Sequence, residues 1–486
     1  MTEVEPGVSG GRPRIMWFRR DLRLGDLPAL VRAAEGAGGV VGLFVADPML
    51  LSQSARSRRL AAAVEALDRS MAGALLVRAG DPASVVGEVA AEVGATEVHI
   101  SADCAPYGRR RDADVAAALD RGGRRLVATG SSYAISPGRV TKADGTPYRV
   151  FTPFYRAWRD HGWPPPPGSP VGPDRPIGSP PDVPEVGWIR LPGLGSAGLL
   201  RHVAHLDCPE PTTGPEGVGE AAALRRWADF CSGDLADYAT LRDRADLAGT
   251  SRLSAHLRFG EIHPRTLLRD LSRFGDAPGA EAFRREIAFR EFYADVLWHH
   301  PRSATSSLDR RFDDHMVYRN GPTADADFEA WCEGRTGFPF VDAGMRQLLY
   351  EGWMHNRVRM VVASFLVKDL HLPWWRGARW FMSRLRDGDL ASNAAGWQWT
   401  AGCGTDAAPF HRIFNPVSQG KRFDPDGDYV RRYVPELRGL PGSAAHEPWL
   451  HPLLAPDYPP RIVDHAAERL AALDRHRQMR TAAEDS

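Results

Sequence analysis

Hydrophobic periodicity changes once along this chain, and the change falls across a proline-rich stretch. Short apolar runs recur at 14–18, 40–45, 74–77, 97–100 and 125–128, with amphipathic stretches between them at 28–37, 58–71, 83–93 and 113–119. Short apolar strands alternating with helices predict a doubly wound, Rossmann-like parallel sheet covered on both faces. From Glu220 onward strand-like runs become rare, and long helical periods take over at 220–231, 281–299, 325–333, 341–350 and 353–368. Between the two patterns, 161–184 is broken by Pro and Gly, including four consecutive prolines at 164–167. Proline lacks an N–H and fixes φ, so this stretch reads as a surface linker. The expected fold class is α/β plus all-α. Residues 1–133 form the α/β domain, with 1–12 as a loose tail, 134–215 form the linker, and 216–486 form the helical domain.

Several function classes are disfavoured at once. No GxGxxG follows the first strand, so the usual dinucleotide fingerprint is absent. Cys104, Cys208, Cys231, Cys332 and Cys403 are far apart with no CxxC spacing, which argues against zinc and against a disulfide framework. No apolar run approaches membrane-spanning length. The simplest expectation is a soluble cytoplasmic monomer with no membrane and no obligate protein partner. Net charge is zero, so a nucleic-acid surface would have to be local. Candidate patches are Arg109-Arg110-Arg111, Arg357 with Arg359, Lys421-Arg422 and Arg431-Arg432, although the simpler reading of any one of them is a solvated face. Ten of the 14 Trp lie from Trp227 onward. They suit either a large core or a stacking and electron-hopping apparatus, and composition does not choose between these.

Four segments carry chemistry. In Gly249-Thr250-Ser251-Arg252-Leu253-Ser254, hydroxyls and an Arg at a helix start suit either a cap or a phosphate. Glu286, Phe289, Arg290 and Tyr293 share one helix face, a mixture better suited to a polar aromatic ligand than to a core, with a buried ion-pair network as the competing reading. Asn356, Arg359 and Met360 share another face. In Asp387 to Trp399, helical spacing aligns Asp389, Asn393 and Trp397. Two carboxylates without a His make a poor metal site, and no metal is expected.

Together, and in this order, these segments resemble the photolyase/cryptochrome family over nearly the whole chain, most of all a bacterial class I cyclobutane pyrimidine dimer photolyase. Trp17-Phe18-Arg19-Arg20-Asp21-Leu22-Arg23 is similar to the family's opening signature, Tyr148 to Trp158 to the segment closing its antenna domain, and Gly404 to Pro416 and Phe423 to Leu437 to its C-terminal portion. The resemblance implies FAD, held bent in the helical domain. Tyr238 and Thr250, Ser251, Arg252, Leu253 and Ser254 would hold its phosphate region. Arg290, Tyr293, Asn356, Arg359, Asp387 and Asp389 would line the rest, with Asn393 at the flavin N5 edge. It also implies UV-damaged DNA as partner. A flipped dimer would meet Glu286, Asn356 and Met360 and stack on Phe289 and Trp399, while Arg357 and Arg412 grip flanking phosphates. Repair would run by an electron passed from light-excited reduced FAD to the dimer and returned.

The chain departs from the family's pattern in places. Phe289 stands where dimer-repairing members usually have Trp. The surface-to-flavin electron chain would run through Trp397 and Trp374 to Tyr318 in place of a third Trp, with Trp375 or Trp380 as other exits. Gly25 and Leu27 in the opening signature have no explanation from sequence. The absence of His at Asn356 and Met360 disfavours (6-4) repair. A cryptochrome-type photoreceptor is the alternative reading, and a generic flavin dehydrogenase lacks a recognisable nicotinamide site. For a second chromophore, Arg56, Asp103, Tyr107 and Gly108 resemble the deazaflavin-binding members, so an 8-hydroxy-deazaflavin is favoured over methenyltetrahydrofolate.

Overall fold

The computed structural model describes residues 11–51, 55–167, 175–193, 195–196, 198–199, 217–405 and 412–485. Most of the expected tail (1–10), part of the linker, Cys208 and residues 406–411 of the C-terminal motif lie outside the described residues.

Five parallel strands form one sheet in the order β3-β2-β1-β4-β5. They are β1 (Arg14–Phe18), β2 (Val40–Ala46), β3 (Leu75–Ala79), β4 (Glu97–Ala102) and β5 (Arg125–Ser131). Strand alternation sends Ile15 and Trp17 into one core and Met16 and Phe18 into the other, so both faces are covered. The covering helices are α1 (Pro28–Ala34), α2 (Ala55–Ser70), α3 (Pro82–Glu92) and α4 (Pro106–Arg121). Helix α4 begins seven residues before the apolar period suggests. Proline at its first position suits a helix start, and Arg109 to Arg111 hide the periodicity.

The span read as linker contains a helix, α5 (Phe151–His161). Its Phe154, Tyr155 and Trp158 repeat at helical spacing and bury themselves with Trp227, Phe230, Phe283 and Phe292 of the helical half. The helices that shape the site follow: α6 (Glu220–Ser232), α7 (Ser254–Phe259), α8 (Pro264–Leu271), α9 (Pro278–His299), α10 (Pro339–Glu351), α11 (Asn356–Ser364), α12 (Trp374–Arg384) and α13 (Leu390–Ala401). Helix α11 starts three residues later than its period suggests. The His355 imidazole accepts the N–H of Arg357 at 3.2 Å and caps the new start.

Charged residues join the two halves. Arg59 meets Glu261 through two hydrogen bonds of 2.6 Å, and Arg265 meets Asp26 at 2.5 Å. Glu291, buried on α9, accepts the Ile135 N–H at 3.1 Å and the Trp158 indole at 2.7 Å. Gly260 must be glycine: its φ is 67°, and an added Cβ would lie 1.9 Å from the Arg20 carbonyl oxygen. The same seam explains two residues that the sequence left open. Glu220 accepts the N–H groups of Leu24 and Gly25, and a Cβ on Gly25 would lie 2.6 Å from its Oε1. Leu27 is buried in the core beneath β1 and β2. Among the described residues, no helix is long and apolar enough to cross a membrane.

Candidate active site

Asp387, just before α13, accepts Arg359 Nη2 at 2.8 Å, while Arg359 Nε donates to the Met354 carbonyl at 2.8 Å. The guanidinium plane is thus fixed from two sides. Asp387 Oδ1 is buried with no partner among the described residues. An unmade buried acceptor is costly, so this atom points to a donor on a bound group. Asp389 caps α13 by accepting the Ser392 N–H at 3.1 Å, and it accepts Arg20 Nη2 from β1's loop at 2.7 Å. Burial opposes its charge, but Arg20, Arg258 and Arg290 together hold its carboxyl well below the usual range. One turn on, Asn393 donates to the Ala378 carbonyl at 3.0 Å, which leaves its amide oxygen to accept.

The hydroxyl-rich loop lies at the start of α7. Arg226 donates to the carbonyls of Thr250 and Ser251 at 2.9 Å each. Arg252 adopts a left-handed backbone (φ 51°), pairs with Glu351 at 3.2 Å and lies 4.2 Å over the Trp353 ring. Leu253 is buried and Ser254 is exposed, its hydroxyl accepting the Trp353 indole N–H at 3.3 Å. Tyr238 is buried edge-on to Phe230 and Phe283. Arg290 donates to the carbonyls of Ser132 and Leu257 and covers the Tyr133 ring, so it stitches the two halves together. Tyr293 packs between Phe289 and Phe292. An orphan carboxylate oxygen, a free amide oxygen and a hydroxyl loop with an arginine fit a flavin nucleotide.

The outer face of α9 carries Glu286, which pairs with Arg242 at 2.5 Å while each side chain keeps about a third of its surface exposed. Burial pushes the Glu286 carboxyl up, and Arg242 opposes the shift. Phe289 lies one turn further on. Asn356 is exposed at the start of α11, with Met360 one turn below it and half-buried. Trp399 is half-buried on α13 with the Arg412 guanidinium 5.3 Å over its ring. Arg357 is held by Asp243 at 2.7 Å and covers Phe423. A phosphate would therefore have to displace Asp243. Arg111, read as part of a surface patch, is instead buried beside Trp17, Asp103 and Asp112.

Trp397 and Trp374 are both buried. Trp374 lies 6.1 Å from Trp375, and Trp375 lies 5.3 Å from Tyr318, centroid to centroid. Trp397 contacts Phe381 at 5.0 Å and Trp331 at 6.1 Å. Burial pushes the Tyr318 phenol up. Trp380 lies under Arg384 instead.

Arg56 and Asp103 converge on the junction between the halves. Arg56 reaches Met382 Sδ at 3.5 Å, and Arg258 donates to the Gly388 carbonyl at 2.8 Å. Arg20 bridges Asp103 and Asp389. Three guanidiniums here (Arg20, Arg56, Arg258) face two carboxylates. Burial, unrelieved by any carboxylate, disfavours the Arg56 charge, and burial followed by the Arg20 charge disfavours that of Arg258. Gly108 lets α4 pass Asp103, since a Cβ there would lie 2.2 Å from it. Tyr107 turns away to Asp47. Sequence reasoning missed Arg258, Met382 and Arg242, which sit outside any motif. Only their proximity in the fold exposes them.

Two family models match the chain: "DNA photolyase" over residues 14–171 and "FAD binding domain of DNA photolyase" over residues 283–478. A deoxyribodipyrimidine photo-lyase of Streptomyces griseus is 41% identical over 94% of this chain and 97% of its own length. The crystal structure of a class III photolyase from Agrobacterium tumefaciens superposes with a TM-score of 0.84 at 36% identity, covering 99% of this chain and 100% of that one. An archaeal photolyase from Sulfolobus tokodaii, described with two FAD molecules and a novel light-harvesting cofactor, superposes with a TM-score of 0.80 at 27% identity, covering 96% and 99%.

Proposed function

We propose a function from the premise that this chain belongs to the DNA photolyase family: it is a deoxyribodipyrimidine photo-lyase that repairs cyclobutane pyrimidine dimers in UV-damaged DNA by light. Its FAD, bound in the helical half, supplies the electron that opens the cyclobutane ring and takes it back. The observation that carries this reading is the Arg359–Asp387 pair with its orphan Oδ1, two residues before the capped start of the helix that bears Asn393. Asp387 and Asn393 hold the flavin edge. Arg359 keeps positive charge beside it, which favours an anionic reduced form. The Thr250–Ser254 loop and Tyr238 hold the phosphate side, and Arg290, Tyr293, Asn356 and Asp389 complete the cavity.

On the outer side, the raised carboxyl of Glu286 hydrogen-bonds the extruded pyrimidines, Met360 and Phe289 pack on them, and Trp399 stacks. Extruding a damaged pair costs less than extruding a normal one, which is one source of selectivity. Arg412, and Arg357 once released from Asp243, neutralise flanking phosphates and make affinity salt-dependent. Trp397, Trp374 and Tyr318, with Trp375 as the link, form the path by which electrons reach an oxidised flavin.

The cationic junction of Arg20, Arg56 and Arg258 with Asp103 takes an acidic antenna chromophore, an 8-hydroxy-deazaflavin, because a surplus of buried positive charge calls for an anion. Arg56→Gln then loses antenna absorbance and keeps FAD. We place the protein in the reducing cytoplasm as a monomer, and its four described cysteines are free thiols.

The test is to incubate the photoreduced holoenzyme with a thymine-dimer oligonucleotide in blue light and in darkness. Restoration of monomeric thymines only in light is expected. Tight FAD with no restoration would overturn repair in favour of a photoreceptor.

A further inference from the structure

Phe289 is not a lone ring. Phe151 of α5 lies flat on it, with ring centroids 3.4 Å apart and planes 8° from parallel. Phe151 is itself clamped. Tyr155 stacks beside it at 5.7 Å, Phe292 meets it edge-on at 5.9 Å, and the Arg285 guanidinium lies 5.3 Å from its ring and 4.8 Å from that of Tyr155. A direct face-to-face sandwich is the pairing aromatic rings least favour, because both faces carry negative potential. A cation over the ring draws on that density and offsets the repulsion. The Arg285 guanidinium spans these two rings while its charge also reaches the neighbouring Glu286 carboxylate. Core packing alone would settle into an offset or edge-on pair. What the sandwich achieves is to fix the plane of Phe289, a half-buried side chain that would otherwise swing about its χ angles.

Resting on the dimer-pocket reading above, we propose that Phe151 is a positioning residue for the lesion. It backs one face of Phe289, so that the other face is presented in a fixed plane to the extruded pyrimidine. A Trp at 289 would reach the lesion by its own breadth. The smaller Phe is made into an ordered platform by a second ring lent from the segment that joins the two halves. Ordering the platform in the free protein removes a cost that binding would otherwise bear.

The test titrates the dark holoenzyme with a labelled duplex carrying one thymine dimer and with the same duplex undamaged. Phe151→Leu should weaken binding of the damaged duplex about fivefold and leave the undamaged one unchanged. Phe151→Tyr should restore the damaged-duplex affinity. In a Phe289→Ala background, Phe151→Leu should change nothing further. If Phe151→Leu does not fold, Phe151→Met gives the same readout with apolar volume kept. Equal weakening on both duplexes, no weakening at all, or full loss persisting in the Phe289→Ala background would overturn the proposal. A wild-type protein that binds both duplexes equally would instead overturn the pocket reading on which it rests.

Discussion

The seam between the two halves and the outer rim of the helical half are both rich in arginine, yet they spend it differently. At the seam, Arg59–Glu261 and Arg265–Asp26 are enclosed, and further hydrogen bonds satisfy most of their polar atoms. At the rim, Arg242–Glu286 and Arg357–Asp243 leave up to a third of each partner in water. Enclosed pairs are expensive to break because the surviving charge stays buried. Pairs partly open to water are better screened and exchange more easily than enclosed ones. The seam is therefore built to hold the two halves in one register, and the rim is left free to trade its internal partners, as the proposed function requires, for phosphates and bases.

The sharpest way to break this contrast is Glu261→Gln, which strands Arg59 and leaves His256 without its carboxylate. We expect a loss of about 3–5 kcal/mol in equilibrium urea unfolding. A loss under about 1 kcal/mol would put the seam in the same class as the rim.

Acid should act instead on a buried group that backs the rim. Burial, the largest influence, depresses His355 to about 4, and its ring nitrogen must stay unprotonated to accept the Arg357 N–H. The unfolded chain takes this proton near pH 6.5 and the folded one only near 4. The stability from neutral His355 is therefore full above about pH 6.5 and is lost as pH falls towards 4, at about 1.4 kcal/mol per pH unit. Asn at 355 can still cap α11 but cannot titrate. Stability against pH between 6 and 4.5, measured for wild type and His355→Asn, should be shallower in the variant, by about 2 kcal/mol over the window.

The smallest effect sharpens the rim. Phe289→Trp should tighten dimer binding about tenfold (~1.4 kcal/mol) if the added face reaches the lesion. Unchanged affinity in a gel-shift titration would show that the paired rings already supply it.

The α/β half was legible because its signals are local: each strand is a short apolar run, and the face each residue takes follows from alternation. The helical segments that carry chemistry were legible for the same reason, since 286, 289, 290 and 293 fall on one face by spacing alone. What stayed hidden depends on residues far apart in sequence. Helix α5 was obscured by the prolines that follow it, though its apolar residues at 151, 154, 155 and 158 carry the period. Gly25 makes sense only once Glu220 is beside it, some 195 residues away. Arg258 and Met382 become site residues only when the fold brings them to Arg56. The pairing of Phe151 with Phe289 has no signature in either segment.

Everything in this account turns on the helical half enclosing one flavin. The direct measurement is FAD bound per chain, by absorbance and after release by heat, in the protein as purified and after reconstitution. The account predicts close to one FAD per chain, lost in Asp387→Ala. A folded chain that holds no FAD after reconstitution, or that keeps it equally well without Asp387, would contradict it.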